Sequence, residues 1–322
     1  MQESADQRCT TMAPVDVRVH AIVVTYQPEQ RALIDLLEAL SPQVERIYVV
    51  DNSANDDLRV ATLLDGLQLG NVVIHRLDGN HGIAKALNVG ISHAQGAGAT
   101  YVLLSDQDSL PATDMVAGLL VAHAQLVADG YKVGAVGPMF TDRNTGYVSS
   151  FQAEIPGKFF YGHVRPDTTR PEVEALTLIT SGMLAAIEVF DDAGGMREDF
   201  FIDHVDIEWC HRVRTRGWRL YGTRRATMFH RMGDASLRVW YFGWRQESAY
   251  SPLRIYYRIR NFIALCKSPM IDWRWKLRNG WYWLGFVYSH VMFGGQKKRS
   301  LVMASRGLAD GLRGRMGPFL AG

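Results

Sequence analysis

The residues of this chain best suited to chemistry are acids placed where apolar runs stop. Asp106-Gln107-Asp108 follows the run TYVLLS, so two carboxylates one residue apart stand at the end of an expected strand. Hard oxygen ligands in that arrangement suit Mg²⁺ or Mn²⁺, and a divalent cation there can neutralise a diphosphate as it leaves. The plainer reading is a solvated acidic turn ahead of a helix starting at Ala112. His230, in the run TMFHRMG and followed by Arg231, Gly233 and Asp234, adds an imidazole to a mixed N/O ligand set. By itself a lone strand histidine is more often a satisfied core or surface residue.

Asp206 is the candidate general base. An inverting group transfer needs a carboxylate to take the proton of the attacking hydroxyl. Asp206 falls in the first turn of a helix expected over residues 205–216 and closed by Gly217. The dipole there favours the charged form, which predicts an ionised, modest base. Glu208 and Arg212 read as an ordinary i,i+4 pair on the same helix, and Asp203 and His204 are polar neighbours upstream. Asp51 closes RIYVVD, where it can bond a nucleobase or ribose, or form an Asx turn with Asn52 and Ser53. Gly79-Asn80-His81-Gly82 begins a helix and can approach a phosphate or nucleoside, although Asn and Gly suit any helix start.

The elements positioning these groups alternate. Strands are expected over residues 19–25, 46–51, 71–77, 100–108, 132–139, 176–182 and 227–233, with helices over 29–40, 82–95 and 112–129. Residues 140–175 read as loop. Such alternation predicts an α/β fold with an open, mostly parallel sheet, whose ligands sit beyond the carboxyl ends of the strands. Asp51, Asn80 and the Asp106–Asp108 acids all cluster at those ends.

The chain has 322 residues, 47% apolar and 21% charged, with a net charge of +2, which is globular composition. Residues 1–17 form a polar leader without the apolar core of a secretory signal. Cys9, Cys210 and Cys266 are too scattered for a disulfide framework, which points to a reducing cytoplasm. A main domain is expected over 18–250 and a basic, aromatic helical tail over 251–322. Its segments RIYYRIRN, WRWKLR, WYWLGFVY and KKR suit anionic lipid headgroups, or alternatively a helical cap on the sheet. Nothing upstream resembles a nucleic-acid module. The apolar stretch 281–294 is too short to span a bilayer.

In order along the chain, AIVVTY, VVDNS, GNHGIAKALNVG, LLSDQDS, LITSG, FIDHVDIEW and FHRMG resemble the family 2 glycosyltransferases of the GT-A fold, and among them the bacterial rhamnosyltransferases. YYRIRN and GLADGLRGRMG in the tail are similar to the same group, whose members act on O-antigen and rhamnolipid precursors. The resemblance implies inverting transfer of L-rhamnose from dTDP-L-rhamnose to a lipid-linked acceptor, such as a surface glycan or mono-rhamnolipid, on the inner face of the bacterial inner membrane. Asp51 would contact thymine, Asp106 the ribose, and Asp108 with His230 the Mg²⁺ or Mn²⁺ on the diphosphate. Thr25, Asn80 and Arg212 would complete the substrate-binding set. Asp206 would be the base in the register that aligns Glu208 and Arg212 with the family's downstream acid and arginine, and Asp203 in another.

A dinucleotide-dependent dehydrogenase or a nucleotidyltransferase needs a glycine-rich first loop, and Thr25-Tyr26-Gln27-Pro28-Glu29 has none. A transferase for another nucleotide sugar would keep every feature above. A non-catalytic sugar-nucleotide scaffold would tolerate loss of Asp108, His230 and Asp206, and all three are present.

Overall fold

The computed structural model describes residues 17–53, 59–142, 146–230, 235–241 and 243–320. The polar leader up to residue 16, with Cys9, and the Arg231, Gly233 and Asp234 neighbours of His230 lie outside them.

The first half is a run of strand–helix units: β1 (Val19–Thr25), α1 (Gln30–Leu40), β2 (Arg46–Asp51), α2 (Arg59–Asp65), β3 (Val72–Arg76), α3 (Ile83–Gly96) and β4 (Tyr101–Asp106). A two-residue β5 (Leu110–Pro111), α4 (Met115–Ala128) and β6 (Val133–Asp142) follow. Then come β7 (Phe151–Ala153), β8 (Gly162–Val164), β9 (Glu172–Ala175), β10 (Met183–Ala186), α5 (Ile187–Ala193) and α6 (Val205–Thr215). The long β11 (Arg219–His230) leads through the β12 (Ala235–Trp240) and β13 (Trp244–Ala249) hairpin to α7 (Pro252–Lys267), α8 (Trp273–Met292) and α9 (Lys297–Arg313).

The main sheet has the order β3-β2-β1-β4-β10-β6-β11-β5, with β9 also on β11. Strands β1 to β4, β6 and β11 share one direction, and β10 runs antiparallel between β4 and β6. Every residue of β1 is buried, and alternate side chains enter opposite cores. This is the near-continuous apolar pattern of a strand covered on both faces. One core holds α1 and α4, where Leu33, Leu36, Leu37 and Leu40 supply the i, i+3, i+4, i+7 stripe. The other holds α3, α5, α6 and the three tail helices. The tail is thus continuous with the main core.

Three sequence expectations change. Residues 176–182 bend rather than extend, because Gly182 takes φ +77° and turns the chain into β10, which begins one residue later. The stretch read as loop carries the short strands β7, β8 and β9. Of the strand expected at 227–233, residues 227–230 are the end of the 12-residue β11, whose pairing with β6 slips between Thr223 and Thr227, and residues 231–233 lie outside the described residues.

Candidate active site

The carboxyl ends of β1, β2 and β4 lie side by side, and their terminal residues make the first half of the site. Thr25 Oγ1 donates to Asp51 Oδ1 at 3.1 Å, and the Ser53 amide donates to the same oxygen at 3.2 Å. The Asx turn and the polar pocket are therefore one structure. Asn52 accepts from the His81 amide at 2.8 Å and donates to Asn80 Oδ1 at 3.1 Å, which joins the β2 end to the start of α3. Asp51, Asn52, Ser53 and Thr25 are buried, whereas Asn80 is exposed.

At the end of β4 the acids diverge. Asp106 Oδ2 accepts from the buried Ser181 Oγ at 2.5 Å, so the bend after residue 176 delivers a hydroxyl to the first acid. Between them, Gln107 turns aside and clasps the Tyr26 backbone through both N–H (2.7 Å) and C=O (3.2 Å). Pairing of Phe229 with Leu110 then brings the last residue of β11 beside Asp108 and Ser109. His230 Nδ1 lies 3.1 Å from Ser109 Oγ and 3.7 Å from Asp108 Oδ1. The sequence spacing of 122 residues between Asp108 and His230 closes through this two-residue strand.

The loop before α6 is strained. Phe201, Asp203 and His204 all have φ between +62° and +63°, a conformation costing roughly 1–3 kcal/mol for each such residue. The first helix of the tail holds it. Asn261 Nδ2 lies 2.8 to 2.9 Å from the carbonyl oxygens of Phe200, Ile202 and Asp203. Arg260, fully buried, donates to the Phe200 carbonyl at 3.0 Å and to Asn261 Oδ1. Arg254 and Arg258 reach Asp203 Oδ1 at 2.7 and 3.1 Å. Burial works against the Asp203 charge, but the two guanidinium groups outweigh it and hold the carboxyl below the usual carboxylate range. The RIYYRIRN segment, expected to face lipid, thus turns its Arg258, Arg260 and Asn261 inward. The α3 and α6 amides of Ile83 and Glu208 take the Phe201 and His204 carbonyls, and the buried Arg260 and Asn261 side chains supply donors to those of Phe200, Ile202 and Asp203.

Asp206 follows at the start of α6, its Oδ1 accepting from the Ile207 amide at 2.8 Å. Burial, with a contribution from the Asp106 charge, pushes its carboxyl up to about 6. The helix dipole expected to keep it a weak base is outweighed by desolvation. Arg212 has its Nε and Nη2 on Glu208 at 3.1 and 2.9 Å, and its remaining donors on the Ala193, Gly194 and Gly195 carbonyls. The i,i+4 pair is present, but no Arg212 donor is left for a substrate. Its role here is to hold the loop that ends α5.

Sequence reasoning passed over Ser181 and the tail clamp. The polar Thr180-Ser181 pair closing an apolar run was the available signal for the first. An Arg-Asn pair inside an otherwise amphipathic helix was the signal for the second. Gly82 adds a further contact: it has φ +84°, and a Cβ there would meet the Phe201 carbonyl oxygen at 2.5 Å. Gly82→Ala is expected to lower stability by about 2 kcal/mol or more, measured by denaturant unfolding, since strain and overpacking add.

Asp108 and His230 supply one carboxylate and one imidazole, and no group of three ligating side chains converges among the described residues. Two ligands fit a divalent cation that takes the rest of its shell from diphosphate oxygens and water. A cavity of about 430 Å³ beside Tyr161, His211, Trp218 and Asp272 contains none of these groups.

Residues 21–185 match the family model described as glycosyl transferase family 2. The chain is 31% identical over 303 residues to the dTDP-rhamnosyl transferase RfbF of Shigella flexneri, covering 93% of this chain and 97% of the relative. Among solved structures, GalNAc-T7 with UDP, GalNAc and Mn²⁺ superposes with a TM-score of 0.54 at 15% identity, over 67% of this chain and 43% of that one. The TarS 1-349 structure of S. aureus in complex with UDP-GlcNAc gives 0.50 at 16% identity, over 92% of this chain and 81% of that one. The mixed sheet with its flanking helices is the GT-A architecture of these enzymes. The chain belongs to glycosyltransferase family 2 and is a glycosyltransferase.

Proposed function

We propose that the protein transfers L-rhamnose from dTDP-L-rhamnose to a hydroxyl of a lipid-linked acceptor, with inversion, at the cytoplasmic face of a bacterial inner membrane. The donor assignment rests on the likeness to RfbF across nearly the whole of both chains. The observation that carries the mechanism is a pair of opposed environments three residues apart: Asp203 ion-paired with two arginines, and Asp206 half-buried with its carboxyl raised to about 6. Groups pushed apart in this way divide structural from acid–base duty.

Asp51, with Thr25 and Asn80 about it, holds the thymine end of the donor, and Asp106 the ribose. A divalent cation on Asp108 and His230 supplies positive charge against the diphosphate when bound. Asp206 takes the proton of the acceptor hydroxyl as its oxygen bonds to the anomeric carbon. The bond from that carbon to the diphosphate oxygen breaks on the opposite face, so a β-linked donor yields an α-rhamnoside. A base near 6 is ionised at neutral pH yet is a stronger proton acceptor than an exposed aspartate.

The test is release of free nucleoside diphosphate from dTDP-, UDP- and GDP-sugars with Mg²⁺ or Mn²⁺, using mono-rhamnolipid and a lipid extract as acceptors. Release from dTDP-L-rhamnose alone is the expected result. Asp108→Ala is expected to reduce it by at least about a hundredfold while dTDP still binds, because the lost group acts on the developing charge. Release only from another donor overturns the rhamnose assignment and leaves the glycosyltransferase standing.

A further inference from the structure

Among the described residues the outer face of α8 is covered only at its ends, where Trp273 meets Phe159 and Tyr288 meets Tyr241 and Phe293. Trp273, Leu277, Trp281, Leu284 and Tyr288 are all exposed, Trp281 at 79%. At 100° per residue these five positions fall within an arc of about 80° and extend about 22 Å along the helix. Trp275, Trp283, Phe286 and His290, on the opposite side, are buried in the core. A solvated surface helix has its apolar stripe inward and charge outward. Here both faces are apolar, and the outward one is rich in the aromatic residues that settle at a membrane–water boundary.

Charge decides between the occupants such a face might take. From residue 273 to residue 320 there are nine Lys and Arg and one acid, Asp310. A second copy of this chain would bring two such cationic fields together, which repels. An anionic lipid surface is complementary to both the cations and the rings. No helix among the described residues is long and apolar enough to cross a membrane, so the helix lies on the surface rather than through it.

We infer that the Trp273–Tyr288 face of α8 docks on anionic lipid headgroups. The inference deepens the lipid-linked acceptor reading and rests on it for its biological sense. The inner face of the same helix explains what the docking achieves. Trp283 meets the His204 ring edge-on at 5.0 Å and lies under the Arg258 guanidinium at 5.1 Å. The lipid-contacting stripe and the loop carrying the candidate base therefore stand on opposite sides of one helix, whose diameter is about 10 Å. A lipid-anchored hydroxyl needs only a short reach from the headgroup layer.

Flotation of the full chain with phosphatidylglycerol–phosphatidylcholine vesicles, and with phosphatidylcholine vesicles alone, tests this without donor or acceptor. Binding to the anionic vesicles, weakened by high salt, is expected. The double variant W281E/L284E should lose it by at least about tenfold. Both side chains point to solvent, so dTDP-sugar turnover in solution should stay as in the parent and shows that the variant is folded. Vesicle binding unaffected by W281E/L284E, or no binding by the parent, overturns the assignment. A parent dimer that W281E/L284E converts to a monomer also overturns it, and makes the face a self-association surface. Failure on vesicles leaves rhamnosyl transfer intact, and failure of dTDP-L-rhamnose turnover leaves vesicle binding intact.

Discussion

Asp206→Asn is expected to lower turnover roughly 10²–10⁴-fold with dTDP binding unchanged, the usual worth of a positioned general base. The amide keeps the size and the Ile207 contact but cannot accept the proton. In the parent, kcat/KM should rise with pH and level off above about 6, where the buried carboxyl is ionised. The same shift has a stability signature. The folded state binds this proton more tightly than the unfolded chain, whose aspartates titrate near the ordinary value of 3.8. Stability therefore falls between about pH 4 and pH 6 by up to about 3 kcal/mol from this group. Asp206→Asn removes that fall, so the inactive variant should melt higher than the parent at pH 7. An active variant, or one that melts lower, would count against a buried base.

Asp203→Ala is expected to do the reverse and destabilise the fold by about 3–5 kcal/mol, the cost of leaving one side of a buried ion pair alone. Arg258 is the reason. Its side chain is 15% exposed, and it would face Tyr250, Trp283 and Phe286 without a counter-charge. Arg254 is more exposed and can turn to water, which sets the figure toward the lower end. The Asp203 carboxyl is held below its ordinary range, so its contribution is present above that range and lost as pH falls through the folded-state value. The two aspartates should thus give opposite pH slopes in thermal denaturation. That contrast separates them as candidates for the base, since an aspartate already committed to two guanidinium groups is a poor proton acceptor.

Legibility in the sequence followed the range of the interactions. β1, β2 and α6 lie where short-range pattern puts them, because apolar runs and 3.6-residue periodicity are local properties. The acids at the β2 and β4 ends were legible for the same reason: a strand's last residue marks the ligand edge. The bend at 176–182 was not, since Leu176 to Thr180 is as apolar and β-branched as a strand and only Gly182 overrides it. The Asp108–His230 pairing was expected from residue type and family resemblance rather than from local pattern, since the approach depends on β5, two residues long. The elevated Asp206 carboxyl was misjudged because the dipole can be read from helix position, while burial depends on what packs over the helix. Composition alone assigned the tail's arginines to a lipid-facing surface or a basic outer cap. Their partners are the Phe200 carbonyl and the Asp203 carboxylate, some 50 to 60 residues earlier, which no window sees.

The order in which the chain is made gives the tail clamp a further meaning. Synthesis delivers the N-terminal residues first, and a domain folds as a unit once its parts are present. The Asp51 pocket draws on β1, β2 and the start of α3, all within the first 83 residues, while the Asp106 and Asp108 carboxylates follow at the end of β4. The loop before Asp206 is different, because its carbonyls wait for Asn261 and its carboxylate for Arg254 and Arg258. A chain lacking α7 is expected to leave the Phe200, Ile202 and Asp203 carbonyls without their Asn261 partner and Asp203 without its two arginines. The geometry at the start of α6 is thus fixed by side chains some 50 to 60 residues later in the chain, so it comes into being only with the tail.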